Sequence, residues 1–549
     1  MLGKSATALR LAAAVTMSSV LGLTACGGGS GSTPSATGTP VKGGTILYAH
    51  QQEPACVFGG WIEQAYISAN VLDSLTSLDA SAKAVPWLAD SWETSSDNLT
   101  WTFHLKKGVT FTDGTELTGA VVAYNFDYWV NKGGNGTALA WLGGYYKSAE
   151  AVDATTVKVQ LLRPYPRLAE TVSQGYFGIQ SQKSIESRAK EQICEKPVGT
   201  GAFTVDSWQR GQQITLVRND RYASWPANAK HRGPAIVDKV IWKFVADPTT
   251  RVSALKTSQV NAIYDVPAVA WKPLQDAGFP EQKYVTKGRP QQITFNTAHG
   301  VFTDEKVRQA FAYSLDRKKI VETIGQGLIP FEGNGPVSQA TPGYSHKAAD
   351  WYHLDLAKAN QLLDAAGWTG RDGEGYRTKG GQTLQALLPY AAGSIINADG
   401  ATILQAVQEK VKATGFKLKL VPVSRAELAA GKFSKPDDHE LTVGYWTAVT
   451  AGILYVNWRP STPQSKNNSN SAFHNDPVLE KFILDGNSAL DLNEQNAFYV
   501  KAQDYIAEHA LSIGLYDRLS TLAVQPTLKD VWQEHSQGGP VFHDAYFIK

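Results

Sequence analysis

Charge of one sign is what this sequence lacks first. Across 549 residues, 52 Lys and Arg stand against 50 Asp and Glu. Lys4 and Arg10 fall in an amino-terminal segment, and without them the two signs balance. A nucleic-acid partner needs a basic stripe, so none is expected. Long hydrophobic runs are also missing. Leu11–Leu23 is apolar but shorter than the roughly 20 residues of a spanning helix, and no later segment comes closer. Catalytic patterns are absent in turn: no Gly-x-Ser-x-Gly elbow, no His-Glu-x-x-His, no Cys-x-x-Cys. The eleven histidines are scattered, and His346 and His353 have no ligand-type companions in helical register. Asp437-Asp438 sits in a Pro-containing loop and reads as solvated. No enzyme activity, metal or cofactor is therefore expected.

What is present points to a large soluble body. The length exceeds one domain at roughly 100–200 residues per domain. The composition, 43% hydrophobic and 19% charged, supports a sizeable core. Fifteen Trp and 22 Tyr suit that core, and equally a cleft that grips ligands through flat amphipathic surfaces.

Residues 1–25 read as an export signal: a basic start at Lys4 and Arg10, the apolar run, then Leu23-Thr24-Ala25-Cys26. Those last four resemble a bacterial lipobox, with lipid on Cys26; a plain small-residue cleavage site is the alternative. Residues 26–42, rich in Gly, Ser, Thr and Pro, read as a flexible tether. Cys56 and Cys194 remain as an even pair in an oxidising compartment. A disulfide is the natural reading, and two independent buried thiols the alternative.

The chain is organised around Leu88–Tyr128. In Leu99–Leu105, Trp101, Phe103 and Leu105 alternate with Thr100, Thr102 and His104, a half-buried strand. Lys107-Gly108 and Asp113-Gly114 are turns, and Thr118 can cap a helix carrying Val122, Phe126 and Val130. Further on, Phe203–Trp208 and Gln213–Val217 read as a hairpin after Gly199-Thr200-Gly201. Val240–Val245, Thr249–Lys256 and Ala262–Val266 read as strand, helix, strand, hence a partly parallel sheet. Gln291–Asn296 reads as a strand, and Asp304–Ile324 as one long helix.

The ordered run from Ala89-Asp90-Ser91-Trp92-Glu93 through Thr110-Phe111-Thr112-Asp113-Gly114 resembles the peptide/nickel class of extracellular solute-binding proteins of ABC importers. Gly43-Gly44-Thr45, Gly199-Thr200-Gly201, Arg218–Tyr222, Val307–Ala310 and Ser314–Arg317 resemble the same class. The resemblance implies an α/β, two-lobed periplasmic-binding-protein-like fold with an extra inserted subdomain in the first lobe. Lobe I would comprise 43–85, 195–290 and 515–549, the insertion 86–194, and lobe II 291–514. It implies no catalysis but capture of an oligopeptide between lobes and delivery to permease subunits, by a monomer held outside the cytoplasm by lipid on Cys26. An oligosaccharide or other small solute, a secreted hydrolase and a signalling lipoprotein are the alternatives. Glu53 and Trp446 match acidic and Trp ligand anchors of oligopeptide-binding members; Tyr445, Thr447, Asn457 and Trp458 join them as cleft candidates. Where such members carry an Asp that takes the peptide's amino end, this sequence has Val449. Tyr445 and Trp446 as plain core residues remain the alternative.

Overall fold

The computed structural model describes residues 38–549 apart from 60, 61, 133, 332, 334, 394 and 461–468. The expected export signal, Cys26 and the tether up to residue 37 lie outside the described residues. The tether ends sooner than expected. Pro40–Val41 is a strand paired antiparallel with Tyr546–Ile548, and Thr39 and Lys549 exchange backbone hydrogen bonds. A Pro at the edge of a sheet loses no ladder bond, so this short strand tolerates Pro40.

Thr45–His50 lies inside a seven-stranded sheet. It runs parallel to Lys239–Phe244 on one side and to Ala262–Tyr264 on the other. The helix Pro248–Lys256, capped by Asp247, makes the crossover between those neighbours. Outside Lys239–Phe244 sits the hairpin Phe203–Gln209 and Gln213–Arg218, turning through Gly211. Beyond Ala262–Tyr264 come Leu519–Val524 and then Glu281–Val285. Buried Ile46, Tyr48, Trp242, Tyr264 and Phe542 fill one face of this sheet. Arg251 ties the crossover together. It is 1% exposed, pairs with Asp265 at 3.2 Å and donates to the carbonyls of Val245, Ala246, Tyr264 and Asp265.

The second lobe is built on Gly288–Phe295, flanked by Leu441–Thr447 and Ser512–Tyr516. A parallel pair, Gln385–Ala391 and Lys417–Val423, is bridged by the helix Ala398–Lys412. The chain crosses between the two lobes at 286–287 and 517–518. The crossings touch, since the Thr286 amide and hydroxyl both donate to the Arg518 carbonyl at 3.0 Å. The expected helix over Asp304–Ile324 is two helices, Glu305–Tyr313 and Arg317–Gly325. Asp316 caps the second through Lys319 N, and the Arg317 side chain turns inward to the Gly514 and Tyr352 carbonyls. A side chain able to cap competes with helix continuation, and here it wins.

The inserted sheet has the order Ala89–Thr94, Thr100–Leu105, Thr156–Leu161, Tyr146–Asp153. Thr118 caps Gly119–Val130 through Val121 N at 3.4 Å. Trp101, Phe103, Val122, Phe126 and Trp129 are buried together. That core continues into the helices Ile453–Trp458, Pro477–Ser488 and Leu492–Glu508. Tyr145 packs edge-on against Tyr455 with centroids 5.2 Å apart, and Asn487 donates to its hydroxyl.

Gly199-Thr200-Gly201 seats the first lobe against the helix Ile62–Val71. A Cβ at Gly199 or Gly201 would lie 2.3–2.5 Å from Val71 backbone atoms, so only glycine allows this approach. Thr200 and Ser224 donate to Asp73 at 2.8 and 2.5 Å. Burial raises the Asp73 carboxyl to about 6 against the lowering effect of those bonds. A raised acid favours the fold while neutral, so its contribution is complete below about pH 4 and is lost as pH rises through 6. Between pH 4 and 7 this group is expected to remove about 2 kcal/mol of stability. Urea titrations across that range check it: Asp73→Asn should flatten the slope by that amount.

Candidate functional site

A cavity of about 190 Å³ opens where the two lobes and the insertion meet. Ile62 reaches it from the first lobe, Tyr176 from the insertion, and Arg289, Ile395, Arg425 and Val443–Thr447 from the second. The wall is organised by the antiparallel pairing of Arg289 with Trp446 and of Gly288 with Thr447. Gly288 has φ +100°, and a Cβ there would sit 2.4 Å from the Trp446 carbonyl oxygen. Its absence of a side chain lets the two strands close and sets Arg289 beside Trp446. A register shift after Arg289 then turns the strand, the usual effect of a bulge near a site.

Arg289 dominates the electrostatics. It is half-buried in the wall, and its Nε is buried without a hydrogen-bond partner. Among the described residues no carboxylate pairs with it. Burial alone draws the guanidinium down to about 10, with no acidic neighbour offsetting it. The Trp446 indole N–H is likewise buried without a partner. Thr447 and Tyr176 share a hydroxyl contact at 3.2 Å. Tyr445 lies under the Arg518 guanidinium at 4.4 Å, and Arg518 donates to the Tyr264 hydroxyl of the first lobe at 3.0 Å. The crossing segment thus links the cavity wall to the first lobe.

Of the expected ligand residues, Tyr445, Trp446 and Thr447 line this cavity and the others do not. Glu53 is engaged elsewhere. Its carboxylate accepts from the Trp208 indole at 2.7 Å and Gly211 N at 3.1 Å, with Arg210 at 3.8 Å. Those donors satisfy it, so Glu53 fastens its loop to the 203–218 hairpin. Asn457 and Trp458, 4% and 3% exposed, are buried in a helix whose six residues are all interior. Val449 is fully buried beside Leu78 and Ala82. Where an ammonium-binding carboxylate was at issue, the chain has an apolar contact. Arg289, Arg425, Tyr176, Ile62 and Ile395 were not read from the sequence. Lys287-Gly288-Arg289-Pro290 carries no local sign that it will face Trp446, more than 150 positions away.

Among the described residues, one group of three metal-type side chains forms, His231, His543 and Asp544. Both histidines turn Nδ1 toward the same Asp544 oxygen, at 2.8 and 3.1 Å. The two rings stack with centroids 4.1 Å apart and planes 18° apart. Near-parallel planes cannot both aim a lone pair at one ion, so the group is set for hydrogen bonding. Asp544 also accepts from the amides of Lys230 and His231 and from the Trp532 indole, which locks the carboxy-terminal return onto the 230 loop.

Residues 83–478 match the bacterial extracellular solute-binding proteins, family 5. The glutathione-binding protein GsiB of Escherichia coli O1:K1 is 26% identical over 478 residues, 85% of this chain and 87% of that protein. The oligopeptide-binding protein AppA of Bacillus subtilis, solved with a nonapeptide, superposes with a TM-score of 0.78 at 22% identity, over 93% of this chain and all of that one. DppA of Helicobacter pylori, solved with the peptide STSA, gives 0.78 at 21%, over 92% and 99%. The superpositions show one shared two-lobed fold, and the family match spans well over half of the sequence. The chain belongs to the family 5 bacterial extracellular solute-binding proteins.

Proposed function

We propose that this protein captures a short peptide or peptide-like solute by a carboxylate group and hands it to the permease subunits of an ABC importer. The observation that carries the reading is Arg289. A half-buried guanidinium with its Nε sealed off and no counter-ion among the described residues is costly, and a ligand carboxylate in the cavity relieves that cost through charge-assisted hydrogen bonds. Trp446 adds a flat apolar face and a free indole donor. The cavity's roughly 190 Å³ falls below the usual 300–1,000 Å³ of ligand pockets, which favours a ligand of few residues. The apolar setting of Val449 supplies no charge for a free amino terminus, so recognition rests on the acidic end of the ligand.

The paired crossings at 286–287 and 517–518 serve as the hinge, and the ligand favours closure by contacting both lobes at once. The insertion boundaries implied by the family resemblance, lobe boundaries taken at the crossings 286–287 and 517–518 instead of 290–291 and 514–515, a lipid on Cys26 that holds the protein at the membrane, and action as a monomer complete the proposal. The protein does no chemistry on its ligand.

Native mass spectrometry of protein prepared without the lipid anchor from a rich medium identifies retained ligand. Calorimetry with di- and tripeptides, their carboxy-terminal amides and their N-acetyl forms then tests the polarity. Acids and N-acetyl acids should bind, and amides should lose most of their affinity. Amides binding as well as acids would overturn the carboxylate reading. A retained sugar would move the ligand class.

A further inference from the structure

Cys56 and Cys194 are 138 positions apart in sequence, yet the fold places them side by side. The Cys56 thiol donates to the Cys194 carbonyl at 3.4 Å, and the Cys194 thiol to the Ala55 carbonyl at 3.5 Å. Val57 N donates to that same Cys194 carbonyl at 2.9 Å, so the two backbones are locked together whatever the sulfurs do. Both residues are unbonded and partly accessible here. We propose that Cys56 and Cys194 are joined by a disulfide in the mature protein, and that this bond braces the segment leading into the cavity.

The surroundings support both halves. The neighbouring thiols act on each other, raising Cys56 and lowering Cys194, and the Arg210 guanidinium lowers Cys194 further. Cys194 is therefore the attacking sulfur. Its thiolate opens the disulfide of an extracytoplasmic thiol–disulfide oxidant, giving a mixed disulfide and one oxidant thiolate. Cys56 then loses its proton and attacks the Cys194 sulfur, releasing the second oxidant thiolate. Two electrons pass to the oxidant's disulfide, and two protons leave the cysteines. The bond would fasten residues 55–57 to the helix Lys190–Glu195. Next to it, Glu195 pairs with Arg210 at 2.7 Å, Arg210 stacks over Trp208 at 3.7 Å, and Trp208 holds Glu53. Segment 53–57 is thus held at both ends, a few residues before Ile62 enters the cavity wall.

The test uses the mature protein isolated without reductant, unfolded in guanidinium and treated with iodoacetamide. Cys56 and Cys194 should both escape alkylation and be recovered as one linked peptide. Carbamidomethyl groups on both cysteines would overturn the proposal. Reduction should then lower the melting temperature by about 2–5 °C, as expected when a long loop is released from a body of this size. An unchanged melting temperature would overturn the bracing role. All of these measurements use wild-type protein and need no cysteine variant to fold.

Discussion

Arg289→Ala should weaken binding of a carboxylate-bearing ligand by about 100-fold or more, while leaving the ligand-free protein folded. Hydrogen bonds to charged groups contribute roughly 1.5–3 kcal/mol, and removing one member of a buried pair costs about 3–5 kcal/mol. At 1.4 kcal/mol per tenfold, two to three decades of affinity are at stake. The ligand-free protein responds in the opposite direction. Arg289 is desolvated with no ion-pair partner among the described residues, so its loss relieves a cost that only ligand otherwise relieves. Arg289→Lys separates charge from shape. It keeps the cation but loses the planar fork that matches a carboxylate, and should recover only part of the affinity. Calorimetry with the retained ligand and thermal unfolding without it read the two effects independently. Arg289→Ala protein that binds like the wild type would leave the cavity without its anchor.

The largest effect on folding is expected at Arg251. Arg251→Leu preserves the apolar stem but strands a buried carboxylate, Asp265, and four carbonyls that now share one guanidinium. Breaking a buried pair from one side costs about 3–5 kcal/mol, and the lost carbonyl bonds push toward the upper end. The carbonyls belong to the ends of Lys239–Phe244 and Ala262–Tyr264, so the damage falls on the crossover that positions Thr45–His50. Asp265 is also the acceptor for Asn397 of the second lobe at 2.9 Å, so loss of Arg251 should disturb the contact between lobes as well. Urea unfolding by tryptophan fluorescence measures the change, and a loss under 1 kcal/mol would contradict this account.

Sequence pattern was enough wherever one face of an element is dry and the other wet. Trp101, Phe103 and Leu105 announce their strand because all three are buried while Thr100 and His104 are half-buried, Thr102 alone of the polar set being buried. Tyr146–Asp153 went unread because its Lys147, Ser148, Glu150 and Asp153 face solvent at a sheet edge, leaving no apolar stripe to find. The break at Ser314–Asp316 hides behind apolar spacing that continues across it: Phe311 and Ile320 are buried on the two helices, and Leu315 is buried in the link between them. In the site, Tyr445–Thr447 could be proposed because they sit in a recognisable local motif. Arg289 could not, because its role comes from a strand pairing that no local window contains. Glu53 shows the converse. Its place in the motif was legible, but its partners come from a hairpin some 155 residues onward.

The seven-stranded sheet also constrains how the protein is born. Thr45–His50 emerges early in synthesis, but its partners end at residues 244 and 264, and the strand beyond them ends at residue 524. At about 5–20 residues per second, the roughly 475 residues between that first strand and Leu519–Val524 take on the order of half a minute to a minute and a half to make. Until then the sheet lacks the antiparallel partner of Ala262–Tyr264, and its core lacks Phe542 and Ala545. An unpaired sheet edge of that duration is the kind of surface holding chaperones cover, so completion of the first lobe is expected to wait for its carboxy-terminal strands.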